Sequence, residues 1–186
     1  MSEVSDRYRR VATGFAARLE QCPADRLDAP SPCESWKARD VISHVVHVHR
    51  RVVANLDGSE ASEPQEGDDL AEAFRAASGA VIAALDAPRR AGQMVSGMFG
   101  TQSFEDLVGR LLCADTLVHT WDLARATGQD DRLDLEAAAK ALEFLTPIDE
   151  AIRRPGGFGP RAEAVALDGA EPDVQAQLLA FTGRNP

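Results

Sequence analysis

Apolar side chains recur at steps of three and four along most of the chain, which is the spacing of one buried helix face. The clearest of these sets span residues 4–19, 70–85, 104–123 and 135–152. Between the first two, residues 36–56 are rich in valine, which favours strands, but a typical strand has only about 5–6 residues. We therefore predict a helix there too, with Ser35 as its N-cap.

The connection between the second and third helices predicts how the helices are arranged. Residues 57–69 hold Gly58, Pro64 and Gly67 together with six acidic and no basic residues, so we expect a solvated loop. Such a loop can stretch about 40 Å, whereas a helix of about 20 residues is only about 30 Å long. The loop can therefore cross the bundle and leave the second and third helices parallel.

The rest of the chain completes a single all-α domain over residues 1–186, with four long helices and a fifth. Residues 87–103 hold Pro88 and three glycines and predict a second long connection, with a short extended piece at 93–95. A C-terminal extension, about residues 134–186, carries the additional helix and a tail rich in glycine and proline from Pro155. A short apolar stretch follows at 178–181.

Charge and composition restrict the classes of function. The chain has 186 residues, 44% of them apolar, and a formal net charge of −10, of which −6 lies in the loop at 57–69. An acidic surface repels phosphate backbones and anionic lipids, so we predict neither a nucleic-acid nor a membrane partner. The chain has no apolar signal core and no spanning segment, and its three separate cysteines form no disulfide framework, which favours the cytoplasm.

One position on the fourth predicted helix interrupts the apolar pattern. On a wheel of about 100° per residue, Asp115 lies close to the middle of the apolar stripe, and His119 follows one turn later. An unpaired buried carboxylate would be protonated or destabilising, whereas a metal cation would neutralise it and take the imidazole as a second ligand. A hydrogen-bonded Asp115–His119 pair without a metal is the alternative.

The second predicted helix offers a further ligand, because three of the four histidines lie between positions 44 and 49. His44 is at the edge of the apolar stripe, His47 is outside it, and His49 is near its centre. His44 and His49 point too far apart to bind the same ion, so one is a candidate ligand and the other a core or interface residue. Burial alone slightly favours His49 as the ligand, and His47 is interpreted as a surface residue.

Other residues near these positions have two interpretations. Asp122 either orients a ligand histidine or holds Arg125 or the end of the helix. We interpret four residues as packing residues: Cys33, Cys113, Trp36 and Trp121. The alternative for Cys33 is a functional thiol, and the alternative for each tryptophan is a pocket wall. Arg51 is interpreted as a solvated surface residue rather than a contact for an anionic substrate.

Two motifs, in order, resemble a known family. Ser31-Pro-Cys-Glu-Ser-Trp36, followed by Ala38-Arg-Asp-Val-Ile-Ser-His44, is similar to the opening of mycothiol-dependent maleylpyruvate isomerase-like proteins. Val118-His-Thr-Trp-Asp-Leu-Ala-Arg-Ala-Thr-Gly128 resembles a second segment of the same proteins. The tail, with Gly156-Gly-Phe-Gly-Pro160 and Leu178-Leu-Ala-Phe-Thr-Gly-Arg-Asn-Pro186, resembles a short single-domain actinobacterial branch of this group.

The resemblance implies a DinB-like four-helix bundle with a long crossover between helices 2 and 3. It also implies a divalent metal bound by one histidine of the second helix and by an acid-x-x-x-His pair of the fourth, which are His44, Asp115 and His119. The choice between His44 and His49 thereby falls to His44. The family pattern has glutamate where this chain has the shorter Asp115, and the chain is too short for the additional C-terminal domain of the full isomerase.

The predicted function is therefore metal binding, with zinc as the first candidate ion and nickel or another divalent ion as alternatives. Two histidines and one carboxylate leave an open coordination position, where the resemblance implies that a low-molecular-weight thiol such as mycothiol binds. The protein would transfer or isomerise a group on that thiol, with an electrophile of unknown identity and no catalytic residue that the sequence names. The alternatives are a non-catalytic metal-binding protein on the same fold and a homodimeric bundle without metal.

Overall fold

The predicted helical segments form helices in the computed structural model, which describes residues 2–97, 100–153, 157–164 and 172–185. The elements are α1 Glu3–Glu20, α2 Ala38–Asp57, α3 Leu70–Leu85, α4 Pro88–Ala91, β1 Met94–Gly97, β2 Gly100–Ser103, α5 Phe104–Leu107, a π turn Val108–Leu112, α6 Cys113–Thr127, α7 Leu135–Leu145, α8 Asp149–Ile152 and α9 Val174–Phe181. The all-α fold class is confirmed, with one small antiparallel hairpin where the sequence predicted an extended piece. Parts of the predicted tail, including Pro155, Gly156 and Pro186, lie outside the described residues.

The acidic loop crosses the bundle, as its length and composition predicted. Gln93, beyond the end of α3, donates a hydrogen bond to the carbonyl of Leu56 at 2.8 Å, so the C-terminal ends of α2 and α3 lie together. Glu63 of the loop pairs with His47, ten positions before the end of α2, at 3.2 Å. The loop therefore runs back along α2 before α3 begins, and these two helices are parallel.

The other long helices run in the opposite direction. Arg9 in the first half of α1 forms an ion pair with Asp86 at the end of α3, at 2.6 Å, so α1 and α3 are antiparallel. Gln129, just beyond α6, donates to the carbonyl of Arg18 near the end of α1 at 2.8 Å, so α1 and α6 are parallel. The bundle is therefore an up-down-down-up arrangement of α1, α2, α3 and α6.

The core has two parts, which lie on different sides of α6. The first part lies among the four bundle helices and includes the fully buried Tyr8, Phe15, Ile42 and Phe74. The second lies between α6 and the C-terminal helices α7 and α9, with Val118, Trp121, Leu145 and Leu178 among its members. Because both parts pack on it, α6 is buried on nearly every side, and most of its polar residues, His119 and Asp122 among them, face protein rather than water.

A π turn interrupts the fourth predicted helix, which we predicted to be one regular helix. The N–H of Cys113 donates to the carbonyl of Val108, five residues back, instead of four. Gly109 lies in this turn, and a Cβ atom there would come within 2.9 Å of the Val4 side chain of α1. The uniform wheel is therefore wrong across residues 108–112, although Asp115 and His119 lie together in the regular α6.

Two predicted helix boundaries are also wrong. Helix α2 starts at Ala38 with Lys37 as its N-cap, not with Ser35, which has a left-handed φ of 66° in the preceding loop. There the N–H of Ser31 donates to the carbonyl of Trp36 at 2.9 Å, and this turn separates Ser35 from the helix. The helix predicted over 135–152 ends at Leu145, because Pro147 lies in a 3₁₀ turn that precedes α8.

None of the helices in the described part of the chain is long and apolar enough to cross a membrane.

His49 gives the fold a testable pH dependence, because it lies in the core without solvent exposure. Its ring is 5.2 Å from that of Phe74, and its Nδ1–H donates to the carbonyl of Val45 at 2.7 Å. Burial disfavours the charged ring and lowers the pKa of His49 to about 4. The unfolded chain takes up this proton near pH 6.5, so folded stability is lost as the pH falls from about 6.5 towards 4.

We expect this titration to lower the free energy of unfolding by about 2 kcal/mol between pH 7 and pH 5. The His49→Gln variant should lose that part of the pH dependence, and the matched variant His47→Gln should keep it. Urea unfolding at several pH values, followed by circular dichroism, measures the slopes. Equal slopes for the wild type and His49→Gln would contradict the assignment.

Candidate metal centre

Three of the residues singled out in the sequence converge where α2 lies against α6. Nε2 of His44 lies 3.3 Å from Oδ1 of Asp115, and Nε2 of His119 lies 3.7 Å from the same oxygen. One nitrogen from each ring and one carboxylate oxygen all lie within 4.8 Å of one another, a spacing that one metal ion could bridge. We call His44, Asp115 and His119 the histidine site.

The other two histidines of α2 lie elsewhere. His49 packs against the rings of Tyr8 and Phe74 in the core. His47 is turned towards Glu63 of the acidic loop. Burial alone slightly favoured His49 as the ligand, whereas the structure brings His44, at the edge of the apolar stripe, beside Asp115.

Among the residues of the histidine site, His44 is the most exposed to solvent. The side chain of His44 is 32% exposed, that of Asp115 15% and that of His119 6%. Trp36 covers part of the site, with its ring 5.0 Å from that of His44 and stacked 5.8 Å from that of His119. Trp36 is therefore a wall of the site, which was the alternative interpretation of this residue. Solvent contacts the site mainly at His44.

The pKa of Asp115 reflects its contacts with the two histidines. Burial alone would raise its pKa, but the charge and hydrogen bonding of His119 and His44 outweigh burial and lower the pKa of this carboxyl. The buried oxygen Oδ2 has no hydrogen-bond partner among the described residues. A buried oxygen that lacks a donor is costly, and a cation bound beside it would satisfy it. The donor set therefore fits a divalent metal ion.

Asp122 orients one of the two histidines. Its Oδ2 accepts a hydrogen bond from Nδ1–H of His119 at 2.9 Å, which leaves Nε2 of that ring facing Asp115. Arg125, the alternative partner, pairs with Asp131 instead. The structure therefore agrees with the interpretation in which Asp122 contacts a histidine.

Arg184, from the segment after α9, holds Asp122 in place. Its Nη2 donates to Oδ2 of Asp122 at 2.7 Å and its Nε donates to Oδ1 at 3.2 Å. Burial alone would raise the pKa of Asp122, but the hydrogen bonds and charges of His119 and Arg184 hold it well below its usual range. Asp122 is therefore an anion within a buried ion pair.

Cys33 belongs to the same cluster, in contrast to its interpretation as a packing residue. Its Sγ lies 3.2 Å from Oδ2 of Asp122 and 3.0 Å from Nη2 of Arg184. Burial, followed by the charge of Asp122, raises the pKa of this thiol to about 12, so it is protonated at neutral pH and donates to the carboxylate. We call Cys33, Asp122 and Arg184 the arginine cluster.

Sequence reasoning missed Arg184 altogether. Gly183, just before it, has φ of 82°, and a Cβ there would lie 2.7 Å from the carbonyl oxygen of Pro160. The one signal in the sequence was a charged arginine directly after a glycine in an otherwise apolar segment. That signal does not show that Arg184 reaches α6, because the contact forms only when the tail folds.

The remaining candidates lie outside the site. Arg51 is exposed, as interpreted from the sequence. Cys113 and Trp121 are buried residues of the core, in agreement with their packing interpretation.

Comparison with known proteins agrees with the resemblance in the motifs. The model of the mycothiol maleylpyruvate isomerase N-terminal domain matches residues 8–124, a stretch that includes the histidine site, Cys33 and Asp122 but not Arg184. Two similar relatives are uncharacterized protein Rv0738 of Mycobacterium tuberculosis strain ATCC 25618 / H37Rv and uncharacterized protein MT0763 of strain CDC 1551 / Oshkosh. Each is 33% identical to this chain over 178 residues, or 95% of both chains. No solved structure matches the chain.

The predicted family is thus confirmed, and the chain belongs to the mycothiol maleylpyruvate isomerase N-terminal domain family.

Proposed function

We propose that His44, Asp115 and His119 bind one divalent metal ion, and that a low-molecular-weight thiol of the mycothiol type binds at its open position. The protein then transfers or isomerises a group carried by that thiol. The observation that supports this most directly is the convergence of two imidazole nitrogens on a buried carboxylate whose second oxygen has no partner in the described structure.

The donor set favours a borderline ion with an open coordination position. Two imidazole nitrogens and one carboxylate oxygen suit zinc, and nickel is the alternative. Three protein ligands are the number found in catalytic rather than structural zinc sites. The partial exposure of the His44 ring supports access to that position from solvent.

Charge supports an anionic fourth ligand. Asp115 contributes one negative charge and the two neutral rings contribute none, so a divalent ion in the site leaves one positive charge. Asp122 does not alter this balance, because Arg184 neutralises it. When bound, the metal supplies a Lewis acid that lowers the pKa of a thiol and holds it as a thiolate.

Neither Cys33 nor Cys113 offers a free thiolate to the histidine site, which supports a sulfur supplied by a small molecule. The thiol of Cys33 is protonated, with its pKa near 12, and it is engaged by Asp122 and Arg184. Cys113 is buried among core residues, and burial raises its pKa to about 11. The family description names a mycothiol-dependent activity, which fits a thiol supplied from solution.

The chain's own residues then have distinct roles. His44, Asp115 and His119 bind the ion, while Asp122 accepts a hydrogen bond from Nδ1–H of His119 and fixes which ring nitrogen faces the site. Trp36 covers one side and limits the access of water.

Metal binding is tested first with the ion alone. We expect the purified protein, reconstituted with zinc, to bind about one equivalent, and His44→Ala to bind at least about 100-fold more weakly, because it removes a direct ligand. His47→Ala is the matched control on the same helix and should bind as the wild type does. Calorimetric titration with elemental analysis measures both affinity and stoichiometry. A wild type without stoichiometric metal, or equal affinity in His44→Ala, would refute the site.

Thiol binding is tested on the zinc-loaded protein. Coordination of a thiol as a thiolate releases about one proton at neutral pH, so the heat of binding of mycothiol should depend on the ionisation enthalpy of the buffer. S-methylmycothiol, which has no thiol proton, is the control ligand and should release none. Mycothiol that binds without proton release would contradict coordination by its sulfur.

Turnover separates an enzyme from a metal-binding protein without activity. Maleylpyruvate with mycothiol is the first pair to assay, because the family description names that reaction. We expect any conversion to disappear in His44→Ala and to persist in His47→Ala. Conversion that is equal in both variants would show that the histidine site does not carry it.

A further inference from the structure

His119 is shared by two groups of metal-binding side chains. One is the histidine site, and the other consists of Cys33, His119 and Asp122, whose ligand atoms also lie within 4.8 Å of one another. The two groups use opposite nitrogens of the ring, because Nε2 faces Asp115 and Nδ1 faces Asp122. A neutral imidazole carries a proton on one nitrogen and offers a lone pair only on the other, so the two groups compete for the ring.

The chemistry of the donors favours the second group. A cysteine sulfur, an imidazole and a carboxylate form a set that zinc binds readily, and thiolate is the softest of these ligands. If ligand type alone decided, a metal ion would draw Nδ1 of His119 towards Cys33. Some feature of the fold must prevent this if the histidine site is to be filled.

The guanidinium of Arg184 occupies the place of a cation in that second group. It lies 3.0 Å from Sγ of Cys33 and contacts both oxygens of Asp122, while its Nη1 donates to the carbonyl of Thr182 at 2.7 Å. The residue is only 8% exposed. Arginine stays protonated in proteins, so the positive charge next to Asp122 persists at any ordinary pH.

We propose that Arg184 is a positioning residue that excludes metal from the Cys33–Asp122 side of His119 and thereby commits Nε2 of this ring to the histidine site. The inference rests on the proposed metal site and adds a selection between two sites. With the guanidinium in place, Asp122 accepts a hydrogen bond from Nδ1–H of His119, and the lone pair on Nε2 faces Asp115.

The selecting residue comes from outside the stretch matched by the family model. That stretch ends at residue 124, whereas Arg184 follows α9 in the C-terminal extension. Helix α9 packs on α7 in the second part of the core, which fixes the path of the chain towards Asp122. The extension thus contributes a charge to the site as well as apolar packing.

The test uses Co²⁺ alone as the probe, because a cobalt–thiolate bond gives a near-ultraviolet charge-transfer band that nitrogen and oxygen ligands do not give. We expect the wild type to bind Co²⁺ without this band. The Arg184→Met variant should gain the band, and the double variant Arg184→Met with Cys33→Ser should lose it again. Arg184→Lys keeps a cation next to Asp122 and should resemble the wild type.

The outcomes separate this inference from the proposed function. A wild type that binds no Co²⁺ overturns the proposed metal site and the selection with it. A wild type that binds Co²⁺ with a thiolate band, or an Arg184→Met variant that folds and binds without one, overturns the selection alone. A mere loss of packing in Arg184→Met would not create a band that depends on Cys33.

A measurement on the wild type decides the matter if Arg184→Met does not fold. The ¹⁵N chemical shifts of His119 in the zinc-loaded protein report which ring nitrogen binds metal and which carries the proton. We expect zinc at Nε2 and the proton at Nδ1. Zinc at Nδ1 would overturn the inference.

Discussion

The structure depends on how two carboxylates are compensated on a helix that is buried on nearly every side. Asp115 and Asp122 lie about two turns apart on α6. A buried carboxylate without a partner costs several kcal/mol, so each needs an opposite charge or hydrogen-bond donors. Asp122 has a guanidinium from within the chain, whereas Asp115 has only two imidazoles and retains an oxygen without a partner in the described structure. The unequal compensation distinguishes the structural carboxylate from the one suited to a metal.

Much of the bundle could be predicted from the sequence because the signals are local. Apolar spacing identified the long helices, and the length and acidity of residues 57–69 were sufficient for the crossover and for parallel α2 and α3. The π turn was not predictable, because one extra residue in a helix changes the spacing over only a few positions. The start of α2 was misplaced because Ser35 takes part in a turn that depends on pairing between residues 30 and 37.

The site was predictable only in part, for a different physical reason. Asp115 and His119 could be paired because one helix fixes their spacing, but burial slightly favoured His49 over His44. His44 lies at the edge of the apolar stripe and contacts both Asp115 and solvent, whereas His49 lies at its centre and contacts the core alone. Cys33 and Arg184 reach Asp122 from 89 and 62 positions away, and no periodicity connects residues at such distances.

Because Arg184 follows Asp122 by 62 positions, the ribosome synthesises Asp122 well before its partner. The ribosome makes α2 and α6, and with them the whole histidine site, before it makes the arginine. Since domains begin to fold as they emerge, the nascent chain passes through a stage in which Asp122 is without its cation. Under the proposed selection by Arg184, metal binding at that stage has no preference imposed by the arginine, and the preference arises only when the last helix has docked.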